Sequence, residues 1–97
     1  MSINYQIAAR TAELFSTLSD PTRVRILATL LENPDLNVST LAERLGLSES
    51  AVSHQLRSLR QTRVVRARKD GRQVFYTIDD DHVAMLLQQG LEHVLHE

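Results

Sequence analysis

Four short runs of helical-period hydrophobicity, two strand-like runs around an Asp-Gly pair and one more apolar helix predict a mainly α chain with a small β-hairpin. The middle of that order is a helix-turn-helix followed by a basic hairpin, which makes the expected fold a winged helix-turn-helix. Its terminal helices are the predicted seat of a homodimer. At 97 residues the chain reads as one unit, 1–97. A chain this short buries only about 60–65% of its unfolded surface, so a partner would add useful burial.

Ile7, Ala8, Ala12, Leu14, Phe15 and Leu18 recur closely enough to a helical period to predict a first helix over 3–18. Asp20-Pro21 then supplies an N-cap and a proline at the first helical position, where its missing N–H costs nothing. Val24, Leu27, Leu30 and Leu31 form the buried stripe of this second helix, and Asn33-Pro34-Asp35 breaks it. Ser39 is expected to open a third helix with Leu41, Ala42 and Leu45 inside; Gly46 stops it in a left-handed conformation. Ser48 caps the fourth, whose inner residues are Val52, Leu56 and Leu59.

Two short helices joined by a glycine turn place the second where it can enter a major groove. Ser48, Ser50, Ser53, His54 and Arg57 are its outward candidates for DNA contact. Residues 64–68 and 73–78 read as strands joined at Asp70-Gly71, a preferred two-residue hairpin turn. Arg68, Lys69 and Arg72 sit near the tip, where a wing would reach phosphates or a minor groove.

Net charge is −1, which looks wrong for a nucleic-acid binder until charge is resolved along the chain. Between Ser53 and Gln73 lie seven basic residues and one acid, whereas the remainder holds four bases and eleven acids. Such a basic block on a reading motif is an electrostatic footprint for double-stranded DNA. Cysteine is absent, so disulfides and thiolate metal sites are excluded and any metal must take His, Asp or Glu. No signal peptide is evident and no apolar run approaches the roughly 20 residues of a membrane span, so a cytoplasmic protein without membrane association is expected.

Three of the four histidines fall in the last helix, expected over 80–96, and with the carboxylate of Asp80 they form a paired pattern: Asp80 and His82 near its start, His93 and His96 near its end. Eleven residues along a helix turn about 1100°, roughly 20° past three turns, and rise about 16 Å. His82 and His93 therefore share a face but not an ion, because Zn–N bonds are about 2 Å long. In a second, antiparallel copy, an axis near Leu87 and Gln88 would set Asp80 opposite the other copy's His96 and His82 opposite its His93. Each of two sites would then hold three imidazoles and a carboxylate. The bland reading is that the acids cap the helix and the histidines complement its dipole. The apolar residues of this helix, Val83, Leu86, Leu87, Leu91, Val94 and Leu95, are too many to stay exposed on so small a unit.

Over nearly its full length the chain resembles the ArsR/SmtB family of winged-helix metal-responsive repressors. The resemblance rests on residues 18–23 (LSDPTR) with Arg25-Ile26-Leu27, on the stretch from Leu41-Ala42 to Ser53-His54-Gln55-Leu56, on Gly71-Arg72 with Tyr76, and on the terminal Asp80, His82, His93 and His96. It is most similar to the zinc- and cobalt-sensing branch, whose ligands come from the terminal helices of both protomers. Thiolate-using relatives carry cysteines where this chain has Asn37 and Ser39, and residues 1–20 contain neither Cys nor His.

The resemblance implies a repressor that binds an imperfect inverted-repeat operator as a metal-free homodimer and leaves it when Zn(II), or Co(II), binds, derepressing genes for metal efflux or sequestration. The alternative is a winged-helix regulator with another inducer or no metal response. An enzyme is not expected: four ligands would close the metal site, no nucleophile motif is present, and no organic cofactor is implied.

Overall fold

Asp20 accepts a hydrogen bond from the Arg23 N–H at 3.0 Å and, with Pro21 behind it, starts a helix where the sequence predicts one. In the computed structural model, which describes residues 1–97, the order is α1 (Tyr5–Thr17), α2 (Pro21–Glu32), β1 (Leu36–Asn37), α3 (Val38–Leu45), α4 (Glu49–Gln61), β2 (Val65–Asp70), β3 (Gln73–Ile78) and α5 (Asp81–Leu95). This is the winged helix-turn-helix expected, with one addition: a short β1 pairs antiparallel with β3, so the hairpin is part of a three-stranded sheet in the order β1-β3-β2.

Two local expectations are corrected. The N-cap of α3 is Asn37, whose Oδ1 accepts from the Thr40 N–H at 2.8 Å; Ser39 lies inside the helix. Asn and Ser cap comparably well, and the strand pairing of Asn37 with Phe75 fixes which one does so. The hairpin turn is Gly71-Arg72, one residue later than predicted, because Asp70 still pairs with Gln73. Gly71 takes φ +63° at the first central position while Arg72 keeps negative φ, the pattern of a II′ turn.

Twelve buried apolar residues form one cluster, drawn from α2 (Ile26, Leu27, Leu30), α3 (Leu41, Ala42), α4 (Val52, Leu56, Leu59), the start of the wing (Val64, Val65) and α5 (Val83, Leu87). Each fully buried Val, Leu or Ile contributes about 1.5–3 kcal/mol. Gly46, at φ +67°, ends α3 and lets the Leu47 N–H reach the Ala42 carbonyl at 3.0 Å. That left-handed residue sets the angle between α3 and α4. Arg63 adopts the same conformation after α4 (φ +61°) without being glycine, and the Val64 N–H closes the helix end on the Leu59 carbonyl at 2.8 Å.

The terminal helices pack differently from their hydrophobic pattern. Of α1 only Thr17 is buried, and Ile7 and Phe15 are exposed. On α5, Val83 and Leu87 enter the chain's own core, whereas Met85, Leu86, Val94 and Leu95 remain exposed. Leu87, expected near a two-fold axis, thus belongs to the intramolecular core. No helix is long and apolar enough to cross a membrane.

Candidate nucleic-acid interface and metal centre

Helix α4 has two stripes of identical spacing. Val52, Leu56 and Leu59 are buried, and Ser50, His54 and Arg57, each two residues earlier, are exposed. Two residues are about 200° on a helix, so anchoring the first stripe in the core turns the second to solvent. Ser53 lies half-buried at the edge of the outward stripe. Ser48 occupies the N-cap, with its Oγ accepting from the Ala51 N–H at 3.0 Å, so its oxygen is committed to the helix while the hydroxyl hydrogen stays available. The helix N-terminus itself favours an anion nearby.

The pose of α4 is held by Arg23, which sequence reasoning did not single out for this role. Its Nε donates to Gln55 Oε1 at 2.8 Å, one terminal nitrogen to Ser58 Oγ at 2.9 Å, and the other to the Thr17 carbonyl at 3.2 Å. One guanidinium thus joins the end of α1, the start of α2 and the inner side of the recognition helix.

On the wing, the basic residues divide. Lys69 and Arg72 are exposed and make no ion pair within the chain. Arg66 donates to the Asp79 carbonyl at 2.9 Å. Arg68 is bonded to Asp35, lies 3.7 Å from Asp70 and stacks over the Phe75 ring at 4.9 Å. Its pKa is raised above the ordinary arginine value, first by the hydrogen bond to Asp35, which outweighs the opposing effect of desolvation, and further by the charges of Asp35 and Asp70.

At the other end of the molecule, α5 begins at Asp80, whose Oδ1 accepts from the Val83 N–H at 2.9 Å as the N-cap. His82 Nδ1 stands 4.0 Å from the same oxygen, with its side chain 95% exposed. His93 lies in the last turn and His96 is the C-cap, both exposed. Asp80 and His82 are therefore together, His93 and His96 are together, and about 20 Å of helix separates the pairs. Within one chain no three His, Asp or Glu side chains come together. The donor chemistry nonetheless fits a borderline divalent ion: exposed imidazoles committed to no hydrogen bond, and a carboxylate with one oxygen outside the cap. Two chains would be needed to complete four ligands.

Comparison with known proteins agrees with this architecture. Residues 20–67, from the start of α2 into the wing, match the bacterial regulatory protein arsR family. The transcriptional repressor SmtB homolog of Synechocystis sp. is 45% identical over 87 residues, covering 90% of this chain, which spans 65% of that protein's length. The HTH-type transcriptional regulator NmtR of Mycobacterium tuberculosis is 43% identical over 94 residues, 97% of this chain and 78% of that protein. Among solved structures, the AntR antimony-specific transcriptional repressor superposes with a TM-score of 0.90 at 33% identity, over 99% of this chain and 86% of that one. The solution structure of apo-NmtR gives 0.85 at 40% identity, over 100% and 81%. These relatives are transcriptional regulators and not enzymes, and the chain belongs to the arsR family of bacterial regulatory proteins.

Proposed function

We propose that the chain is a cytoplasmic, metal-responsive transcriptional repressor, acting as one unit over 1–97 and as a homodimer. In the metal-free state it holds double-stranded operator DNA carrying an imperfect inverted repeat. Ser48, Ser50, Ser53, His54 and Arg57 of α4 face the major groove, and the wing contributes Lys69 and Arg72. Zn(II), or Co(II) in its place, releases the DNA through two sites, each built from Asp80 and His82 of one protomer with His93 and His96 of the other. Genes for metal efflux or sequestration are thereby derepressed.

The observation that carries this reading is the placement of two exposed half-sites at opposite ends of α5, with exposed Leu86 and Val94 between and beside them. Apolar surface on a terminal helix calls for a partner helix, and an antiparallel one brings each half-site to its complement. The absence of cysteine separates this donor set from soft ions such as antimony, so that relative's metal is not carried over. Ni(II) prefers more ligands than the four named.

When bound, a divalent ion supplies a four-coordinate link between the two terminal helices. The chain's own residues do the rest. Asp80 stays fixed by its cap to Val83, the exposed imidazoles lose any proton they carry in order to ligate, and α5 passes its position to the core through Val83 and Leu87. A fixed α5 pair fixes the separation of the two α4 helices. If that separation misses successive major grooves, DNA affinity falls by the coupling free energy, about 1–3 kcal/mol in general. By linkage, operator DNA weakens metal binding by the same factor.

The test is operator binding with and without Zn(II), using DNA selected from a random pool by the chelator-treated protein. Affinity should drop at least about fivefold on adding zinc. Unchanged affinity would favour a regulator with a different inducer or none.

A further inference from the structure

Directly opposite residues of an antiparallel sheet share a face, and so do residues two apart on one strand. Arg68 pairs with Phe75, and Phe75 with Asn37, so these three form one row across β2, β3 and β1. Asp70 and Gln73, themselves a pair, lie two residues along on the same face. Asp35, two residues before Asn37 in the connection that leads into β1, lies beside this row within reach of Arg68. It adopts φ +71°, a left-handed conformation that Asp tolerates better than most residues.

The contacts follow from that row. The Arg68 side chain runs over the Phe75 ring at 4.9 Å and ends on Asp35, with Asp70 at 3.7 Å on its other side. Next to it Asn37, while capping α3 with Oδ1, donates through Nδ2 to Gln73 Oε1 at 2.9 Å. Lys69 pairs with Val74 and so points to the opposite face of the sheet. Two neighbouring basic residues of the wing thus differ in kind: one guanidinium, though exposed, is paired with two carboxylates and stacked on an aromatic ring, and one ammonium is free.

We propose that Arg68 is a wing-positioning residue and not a phosphate contact: by bridging β2 to Asp35 in the α2–β1 connection, it fastens the hairpin at the angle from which Lys69 and Arg72 meet DNA. The proposal rests on the reading of the wing as a DNA-contacting element. An exposed ion pair adds little stability, and with side chains 53% and 42% exposed this one is no exception; its effect is on orientation. The length of the bridge and its two acceptors call for a guanidinium. A lysine at the same position carries the charge but cannot span two carboxylates with a planar fork.

The experiment uses the full chain and compares Arg68→Lys, Asp35→Asn, the double variant and Lys69→Ala. Asparagine keeps the left-handed preference of Asp35 and removes only its charge. Operator affinity is measured by fluorescence anisotropy over a salt series, and amide exchange of Gln73–Tyr76 is followed in the DNA-free protein. Arg68→Lys and Asp35→Asn should each weaken binding about 1.4- to fivefold per wing, the range an exposed ion pair covers. The double variant should lose no more than either single one. The salt dependence should stay as in the wild type for these three and flatten for Lys69→Ala, which removes a phosphate contact. Amide exchange in the wing should quicken in the Arg68 and Asp35 variants and not in Lys69→Ala.

Wild-type affinity in Arg68→Lys would overturn the proposal, as would tighter binding by Asp35→Asn, the result expected if an acid were merely repelling DNA near a phosphate-binding Arg68. If the wild type binds no DNA, the functional reading fails on its own, and the exchange measurement still decides the fastening: unchanged wing exchange in Arg68→Lys refutes it.

Discussion

Arg23 Nε donates to Gln55 Oε1 at 2.8 Å, a bond across 32 residues of sequence that ties the N-terminal turn of α2 to the inner edge of the recognition helix. Together with the bonds to Ser58 and the Thr17 carbonyl it uses the whole fork of the guanidinium on three separate acceptors. Lysine has neither the shape nor the donors to reproduce this.

Arg23→Lys should therefore lower stability by about 1–2 kcal/mol in urea unfolding, since bonds from a charged donor are lost at half-buried sites. Operator affinity should fall further than Arg25→Lys lowers it, because Arg25 reaches only the Leu45 carbonyl at the end of α3.

The outward stripe of α4 and the tip of the wing should separate by specificity. Ser53→Ala and His54→Ala should reduce discrimination between operator and random DNA, by up to about 1–3 kcal/mol if either contacts a base edge. Lys69→Ala and Arg72→Ala should weaken both kinds of DNA alike. Competition titrations with both DNAs measure the ratio, and equal ratios in all four variants would remove the division of labour.

Much of the fold was legible because single residues with strong local preferences punctuate the chain. Asp20-Pro21, Gly46 and Ser48 each act where their chemistry predicts, and Asp80 is the one of three consecutive aspartates that caps α5. What escaped notice depends on pairing between distant segments. A two-residue β1 has no period to detect, and its register with β3 moved the α3 cap from Ser39 to Asn37. The left-handed Arg63 carries none of the glycine signal that marks Gly46. The clamps of Arg23 on Gln55 and of Arg68 on Asp35 join residues more than thirty apart, and nothing local announces them. At the candidate metal centre the helix spacing of the four proposed ligands was readable from the sequence. Which side of α5 faces its own core was less so: Leu87 turned inward and Leu86 outward.

That last distinction separates stability from association. Leu86→Glu and Val94→Glu, both at exposed positions, should leave the monomer folded by circular dichroism and dissociate the dimer in sedimentation at micromolar concentration. Leu87→Ala, at a position 7% exposed, should instead cost about 2–5 kcal/mol of folding stability. A wild-type monomer in chelator would contradict the homodimer.

Oδ1 of Asp80 caps α5 through the Val83 N–H, and in the proposed sensor the carboxylate charge has a second, separable task of holding the cation. Asp80→Asn preserves the capping oxygen and should weaken zinc binding with little change in thermal stability. Asp80→Ala should lose both, with a further cost of about 0.5–2 kcal/mol for the missing cap. Equal stability of the two variants would mean that the cap contributes nothing.

The most direct measurement of the central claim uses two variants mixed together, one carrying Asp80→Asn with His82→Ala, the other His93→Ala with His96→Ala. If each site takes Asp80 and His82 from one protomer and His93 and His96 from the other, neither homodimer holds a complete site. In a mixed dimer the damaged halves fall together in one site and leave the second intact. Co(II) absorption after confirmed subunit exchange should then show one tight tetrahedral site per mixed dimer and none in either parent. A mixed dimer that exchanges subunits and recovers no site would contradict metal binding across the antiparallel α5 pair.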